Sequence, residues 1–233
     1  MMEFETNVQD IIQRTSNVKS FRFPRPAGLS YKAGQYMFVT IKASGKELER
    51  HFTISSSPNE QGFIEFTKRL TESEFSNALI ALKPGDWAKI SAPYGVFTLE
   101  GEFVKVGMLS GGIGITPLIS MCRYCTDMKL DTKITLLYGN RSEQDIVFRK
   151  ELEEMRERNR NLKVIFTLDE PGENWKGYKG RITVDMIKKE IPDYLETVFF
   201  TCGPPAMVEA MKRLFATLNI PQNQIKWELF SGY

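Results

Sequence analysis

The stretch MLSGGIGITPLISMCRYC, residues 108–125, decides how the chain is read. An apolar run, VKVGML, enters two adjacent glycines, meets a third, and leaves through a Thr-Pro pair into a helical apolar pattern. Gly111, Gly112 and Gly114 let the backbone bend sharply and bring its N–H groups near a ligand, and Pro117 suits the first turn of a helix whose positive end faces an anion. Strand, glycine turn and helix in that order predict a turn that holds phosphate. Glycine also serves strand-to-helix packing alone, so the turn needs support from the remaining chain.

That support lies on both sides. From residue 103 onward, short apolar runs (VKVGML, KITLLYG, LKVIFTL, TVFFTCG, IKWELF) alternate with helical stretches such as VFRKELEEMRERN and AMVEAMKRLFATL, which predicts a parallel sheet with helices on both faces. Ligands of such sheets bind outside the carboxyl ends of the strands, and three of those ends, SGGIGITP, YGNRS and CGPP, are polar and carry glycine. Before residue 100 the apolar pattern alternates instead, in YMFVTIKA, RHFTISSS, GFIEFTKRL and DWAKISAP, as expected of an antiparallel barrel or sandwich. One short helix, ESEFSNALIAL, interrupts these strands and is stopped by Pro84 and Gly85. The predicted organisation is an antiparallel barrel or sandwich at 1–101 followed by an α/β, Rossmann-like domain at 102–233. The short linker around LEGEF predicts that the two pack together.

Composition narrows the chemistry. At 233 residues, 42% hydrophobic and 26% charged, the chain has the make-up of a globular protein with a real core. A formal net charge of +2 from nearly balanced acids and bases leaves no broad cationic surface for nucleic acid. No window supplies the roughly 18 uninterrupted apolar residues of a membrane helix, and the N-terminus has no signal-peptide pattern, so a cytoplasmic protein is expected. Three cysteines are one short of the four thiolates an iron–sulfur cluster takes, which assigns any such cluster to a partner. The single histidine, His51, excludes zinc sites built on two histidines and makes hydrolytic triads improbable, so no metal site is expected. Cys122 and Cys125, three apart on one helix face, have the spacing of a redox pair, but buried cysteine behaves as a small hydrophobe and core packing is the expected role.

The motifs AGQYMFVTI (33–41), RHFTIS (50–55) and FSNALIALKPGDWAKISAPYGVF (75–97), then GGIGITP, YGNR, CGPPAM and a terminal ELF, occur in one order along almost the whole chain. In that order and spacing the sequence resembles the ferredoxin–NADP reductase superfamily. The resemblance implies a flavin-binding barrel, a nicotinamide-nucleotide domain, and transfer of electrons from a reduced nicotinamide cofactor through the flavin to a separate acceptor. RHFTIS matches the family's Arg-x-Tyr-Ser/Thr flavin motif. Arg50 is then the fork for the flavin pyrophosphate, His51 its neighbour, Phe52 the ring against the isoalloxazine or ribityl chain, and Thr53 the hydroxyl near flavin N5. Phe stands where the family usually has Tyr, which removes one phenolic hydrogen bond.

The resemblance also places Phe66, Thr67 and Lys68 along the flavin, with Phe75, Ser76 and Asn77 at a helix start that can hold the pyrophosphate. FAD is therefore expected rather than FMN. Gly111, Gly112, Gly114 and Thr116, with Gly203 and Pro204 of CGPP, face the dinucleotide. Cys202 lines the nicotinamide pocket by the same resemblance, and Glu228 is the family's acidic residue near the reacting atoms. Phe230 is the ring expected to cover the flavin, with Tyr233 as the alternative. In FTLDEPGENW (166–175) the Leu-Asp-x-x-Pro turn is similar to the cytochrome b5 reductase branch. Asp169 there accepts hydrogen bonds from a free ribose diol and repels a 2′-phosphate, favouring NADH over NADPH, although Arg141 offers a competing phosphate partner.

The expected partner is an electron-acceptor protein or subunit, with no nucleic acid and no membrane insertion. The chain would work as a monomer or within a redox complex. Two rival readings are a flavin-binding subunit with little turnover of its own, and a dinucleotide enzyme without flavin.

Overall fold

The computed structural model describes residues 1–230. Seven strands and one helix build the first half: β1 (Met2–Asn7), β2 (Asp10–Thr15), β3 (Val18–Pro24), β4 (Tyr36–Ala43), β5 (Lys46–Thr53), β6 (Phe63–Arg69), α1 (Glu74–Ala81) and β7 (Trp87–Tyr94). They form two antiparallel sheets, ordered β1-β7-β4-β5 and β2-β3-β6, and an isolated bridge from Ile54 to Phe66 joins their edges into a barrel. Strand alternation sends Met37, Val39 and Ile41 of β4 inward to meet Phe21, Ile64, Phe66 and Ile90. The first three strands are absent from the alternating runs recognised in the sequence. Charged and polar residues occupy so much of β1 and β2 that their burial is only partial.

In the second half, β8 (Lys105–Gly111), α2 (Ile115–Asp127), β9 (Lys133–Asn140), α3 (Arg149–Arg158), β10 (Leu162–Leu168), β11 (Tyr178–Lys179), α4 (Val184–Glu190), β12 (Val198–Gly203), α5 (Pro205–Thr217) and β13 (Ile225–Leu229) follow in turn. The six strands are parallel in the order β11-β10-β9-β8-β12-β13. Period-two alternation splits each buried strand between two cores. Met108, Leu136 and Phe200 pack on α2 and α3, while Leu109, Leu137 and Phe199 pack on α4 and α5. The chain runs outward from β8 to β11 and then crosses back to β12, so strand order reverses between β8 and β12. Crevices of parallel sheets open at such a reversal.

The halves share a core and a buried charge cluster. Phe97 and Leu99, in the connection between β7 and β8, are buried among residues of the second half, and the Phe97 ring lies 5.4 Å from that of Phe200. Glu65, with no exposed side chain, receives Arg14 at 3.0 Å, Arg22 at 2.9 Å and Arg123 of α2 at 3.2 Å. Ser120 Oγ donates to the Ser56 carbonyl at 2.7 Å, a second bond between α2 and the barrel.

Burial pushes the Glu65 carboxyl up, but Arg123, Arg14 and Arg22 outweigh it and hold the group below the ordinary carboxylate range. A depressed folded value means that the cluster stabilises the fold above the unfolded carboxylate range and loses this contribution as pH falls through the folded value. Glu65→Gln leaves three guanidiniums around a neutral amide, with only the less buried Glu151 still paired to two of them, and the expected loss is about 3–5 kcal/mol in urea unfolding. A loss below about 1 kcal/mol, the range of an exposed pair, would overturn this assignment.

Candidate active site

One cavity, about 370 Å³, opens beside the barrel and lies within the range of ordinary ligand sites. Arg50, His51, Phe52 and Thr53 from the end of β5, Thr67 and Lys68 from β6, and Phe75 from α1 line its barrel side. Thr116 from the start of α2, with Glu228, Leu229 and Phe230 from the end of β13, lines the other. Phe66 is fully buried behind this wall and stacks on Phe52, ring centroids 4.4 Å apart, with Phe21 stacked behind it at 5.0 Å. A chain of three rings thus fixes the orientation of Phe52, which lacks the phenol of the motif it resembles.

The helix expected at Ser76 and Asn77 begins earlier. Ser73 is its N-cap and its hydroxyl accepts the Ser76 N–H at 3.3 Å, while Ser76 Oγ turns inward to Ser73 and Thr71. Ser76 is fully buried, Asn77 is exposed, and neither lines the cavity, which Ser73 and Glu74 reach instead. Serine followed by an acid in a first turn is a recognisable helix start, and TESEF carries that signal one turn ahead of Ser76. Tyr36, from β4, also lines the cavity; it lies within the AGQYMFVTI motif but is not among the residues that the sequence singles out.

The second cavity, about 570 Å³, lies at the carboxyl ends of β8, β9, β10 and β12. Gly111, Gly112, Asp169 and Pro204 line it, as the sequence predicts, together with Ser110, Asn140, Arg141 and Arg181. Arg69 of β6 reaches it from the barrel side, and the Cβ of any residue replacing Gly112 would stand 3.0 Å from its Nη2. The buried Nε of Arg69, Oγ of Ser110 and Oδ1 of Asn140 have no hydrogen-bond partner within the protein among the described residues. Unsatisfied donors and an acceptor beside glycine backbone suit a polar, anionic ligand. Arg69 adjoins Lys68 in FTKRL, and the two side chains serve different cavities.

Gly114, Cys202 and Gly203 line neither cavity and lie between them. A Cβ at Gly114 would stand 2.3 Å from the Cys202 carbonyl oxygen, so this glycine is required by the contact of two turns. Gly112, at φ +52, is the position where the turn enters the left-handed region. The Cys202 thiol is fully buried and donates to the Gly114 carbonyl at 3.0 Å. Burial and the nearby Glu228 carboxyl push that thiol well above its ordinary range, so it stays protonated. Cys122 and Cys125 are also buried and raised, chiefly by desolvation, as expected of core residues. Tyr233 lies outside the described residues.

Comparison with known proteins agrees with this geometry. Residues 5–99 match the family described as Oxidoreductase FAD-binding domain, and residues 108–213 match Oxidoreductase NAD-binding domain. NADH-cytochrome b5 reductase 1 of Aspergillus terreus is 33% identical over 216 residues, covering 87% of this chain and 73% of that protein. The chain belongs to the ferredoxin–NADP reductase superfamily.

The glycine betaine monooxygenase reductase subunit of Chromohalobacter salexigens is 32% identical over 230 residues, 95% of this chain and 62% of the relative. The chain thus spans about three-fifths of the length of those subunits. Among solved structures, the cytochrome b5 reductase domain of Ulva prolifera nitrate reductase superimposes with a TM-score of 0.84 at 24% identity, covering 97% of both chains. A Neisseria gonorrhoeae ferredoxin NADP+ reductase with bound FAD and NADP gives 0.82 at 18% identity, over 98% of this chain and 99% of the other.

The donor set of the first cavity fits a flavin dinucleotide. Arg50 donates only to the neighbouring Glu49 carbonyl, at 2.7 Å, and makes no ion pair among the described residues. Burial and the Arg50 charge both lower the Lys68 ammonium from its ordinary value. Two cations held close enough to repel suit a ligand that brings phosphate, and the Phe52 face beside them suits a planar ring.

At the opposite end, burial pushes the Glu228 carboxyl up to about 7. Below the unfolded value near 4.5 both states hold the proton; between about 4.5 and 7 only the folded state keeps it, so stability falls as pH rises and levels off above the folded value. Glu228→Gln removes this decline. Its Tm relative to the parent protein should be higher at about pH 8 than at about pH 5, measured by calorimetry at equal flavin content. A constant difference would show that Glu228 titrates normally.

Proposed function

We propose that the protein is an FAD-dependent NADH oxidoreductase that hands electrons to a separate protein acceptor. The observation that carries this reading is the placement of an Arg50–Lys68 cation pair and a glycine-turn cavity on two sides of one short partition. Residues 1–101 are assigned to flavin and 102–233 to the nicotinamide nucleotide. NADH gives up a hydride, two electrons with one proton, and leaves as NAD+. FAD held by these residues would supply the two-electron acceptor for that hydride, with one further proton from solvent, and could release the electrons singly to a one-electron acceptor.

The chain's own residues bind, orient and exclude water. Arg50 and Lys68 hold the flavin phosphates, Phe52 and Thr53 line the ring site, and Arg69 with the Gly111–Gly112 turn holds the dinucleotide phosphates. Phe230, nearly buried with its N–H bonded to the Gly203 carbonyl at 2.9 Å, covers the passage between the sites. Glu228, its carboxyl raised to about 7 by burial, is the group beside them that can hold or release a proton near neutrality. Positioning in a water-poor site supplies the rate, without a covalent step on Cys202.

The names of the relatives point to an oxygenase component or a cytochrome as the acceptor. A cytoplasmic location is part of the proposal. Among the described residues no helix is long and apolar enough to cross a membrane.

Arg50→Ala is expected to weaken FAD by roughly ten- to over a hundredfold, from the about 1.5–3 kcal/mol of a charge-assisted bond. Flavin fluorescence titration reads this directly, and unchanged affinity removes Arg50 from the site. Extraction of the native flavin decides between FAD and FMN.

NADH selection rests on Asp169 at the mouth of the second cavity. Arg141, the competing phosphate partner, is paired to Glu170 at 3.0 Å, and the two turns are further tied by the Asp169 N–H to the Asn140 carbonyl at 3.0 Å. Two charges about 4 Å apart interact by roughly 4 kcal/mol at an effective dielectric near 20, and a third of that is about tenfold in affinity. Anaerobic mixing with each cofactor should therefore give a kcat/KM at least about tenfold higher for NADH, reduced in Asp169→Ser. A preference for NADPH, or an unchanged preference in the variant, rejects this selector. A yellow protein that neither nucleotide reduces supports the rival reading of an electron-transfer subunit.

A further inference from the structure

The charge cluster between the halves contains a fifth member that lines neither cavity. Glu151, in the first turn of α3, accepts from Arg14 Nη1 through Oε1 at 2.6 Å and from Arg123 through Oε2. We propose that Glu151 is a positioning residue for electron transfer from nucleotide to flavin: by locking α2 and α3 against the barrel, it sets where the glycine turn and Thr116 stand opposite Thr53 and Thr67. The inference rests on the proposed function and adds a residue outside both binding sites to it.

A continuous chain of bonds connects Glu151 to the flavin cavity. Arg123 lies on α2, about two turns beyond Thr116, and its Nη1 donates to the Ser55 carbonyl at 2.5 Å and to Glu65 Oε1 at 3.2 Å. Ser55 follows Thr53 by two residues. Its hydroxyl donates to Glu65 Oε1 at 3.0 Å and shares a hydrogen bond with Thr67 Oγ1, also at 3.0 Å. Thr53, Thr67 and Thr116 all line the cavity. A rigid helix therefore transmits the seat of Arg123 to the start of α2.

Glu151 is the member whose loss should loosen that seat without unfolding either half. Three guanidiniums face two carboxylates in the cluster, and removing Glu151 leaves three facing one. Arg14 and Arg123 both lie over the Phe148 ring, at 4.8 and 5.0 Å from its centroid, so their repulsion acts at the junction of β2, α2 and α3. Phe148 itself, the residue before α3, is held at φ +62, an uncommon conformation for a bulky side chain and one that needs firm surroundings. Arg123 retains Ser55 and Glu65, and Arg14 retains Glu65 and Ser20, so the remaining bonds keep each half folded.

The test compares FAD-loaded parent protein with Glu151→Gln and Glu151→Asp. In Glu151→Gln, amide exchange across Ser55–Ser57 and Thr116–Arg123 should rise at least about fivefold. Affinities for FAD, by fluorescence, and for ADP, by calorimetry, should stay within about twofold. Flavin reduction at saturating NADH should slow at least about tenfold with little change in KM, and Glu151→Asp should recover part of the rate. A rate within about twofold of the parent, unchanged exchange, or parallel losses of rate, FAD and ADP binding would overturn the proposal. Should Glu151→Gln fail to fold, Arg14→Lys keeps the charge but not the fork that bridges Glu65 and Glu151, and the same pattern is required of it. Failure of both to fold makes the cluster a stability element and rejects the positioning role. If NADH does not reduce the parent protein, the proposed function fails, while the exchange measurement still decides whether Glu151 locks the halves.

Discussion

A carboxylate removed from water is tolerated only with cations around it, and Glu65 obtains them from both halves of the chain. That requirement restricts how the halves meet. Arg14 and Arg22 come from neighbouring strands, but Arg123 must arrive on α2, and α2 is the helix that leaves the glycine turn. Satisfying Glu65 therefore seats the nucleotide domain on the barrel at one angle. Strand β6 then distributes its residues over three tasks: Glu65 in the junction, Thr67 and Lys68 in the first cavity, and Arg69 in the second. A shift of one residue in its pairing with β3 would exchange these roles, which makes the opposition of Phe21 to Phe66 and Val18 to Arg69 a functional constraint as well as a packing one.

The second half was largely legible because its signals are local. LKVIFTL coincides with β10, and apolar runs bounded by glycine give the other central strands to within a residue or two. The barrel was less so. The YMFVTIKA run coincides with β4, but β1 and β2 are edge-like strands with many charged residues, and their pairing energy comes from distant neighbours. The charge cluster was illegible for the same reason. Glu65 lies 51 residues from Arg14 and 58 from Arg123, and no spacing rule connects them.

Motifs located the site more accurately than they explained it. GGIGITP was read as a phosphate turn, yet its glycines divide the work: Gly111 and Gly112 border the second cavity, whereas Gly114 is small because a neighbouring carbonyl leaves no room. Phe52 was read as a loss relative to tyrosine. The ring stack behind it supplies orientation by packing, a contribution visible only when β3, β5 and β6 are placed side by side. Ser73 took the cap expected nearer Ser76 because capping depends on where the chain leaves the extended region, and Ser73 is the extended residue.

The partition between the cavities is the narrowest part of the design. Ile113 lines one side and Thr116 the other, so about one helical turn separates them. Cys202 closes that turn through a thiol hydrogen bond to Gly114, and the adjacent Gly203 carbonyl holds the Phe230 N–H. The same strand end therefore holds both the Gly114 turn and the Phe230 backbone. A larger residue at Gly114 would push β12 away and move Phe230 with it, whereas a change at Phe230 would leave the wall intact.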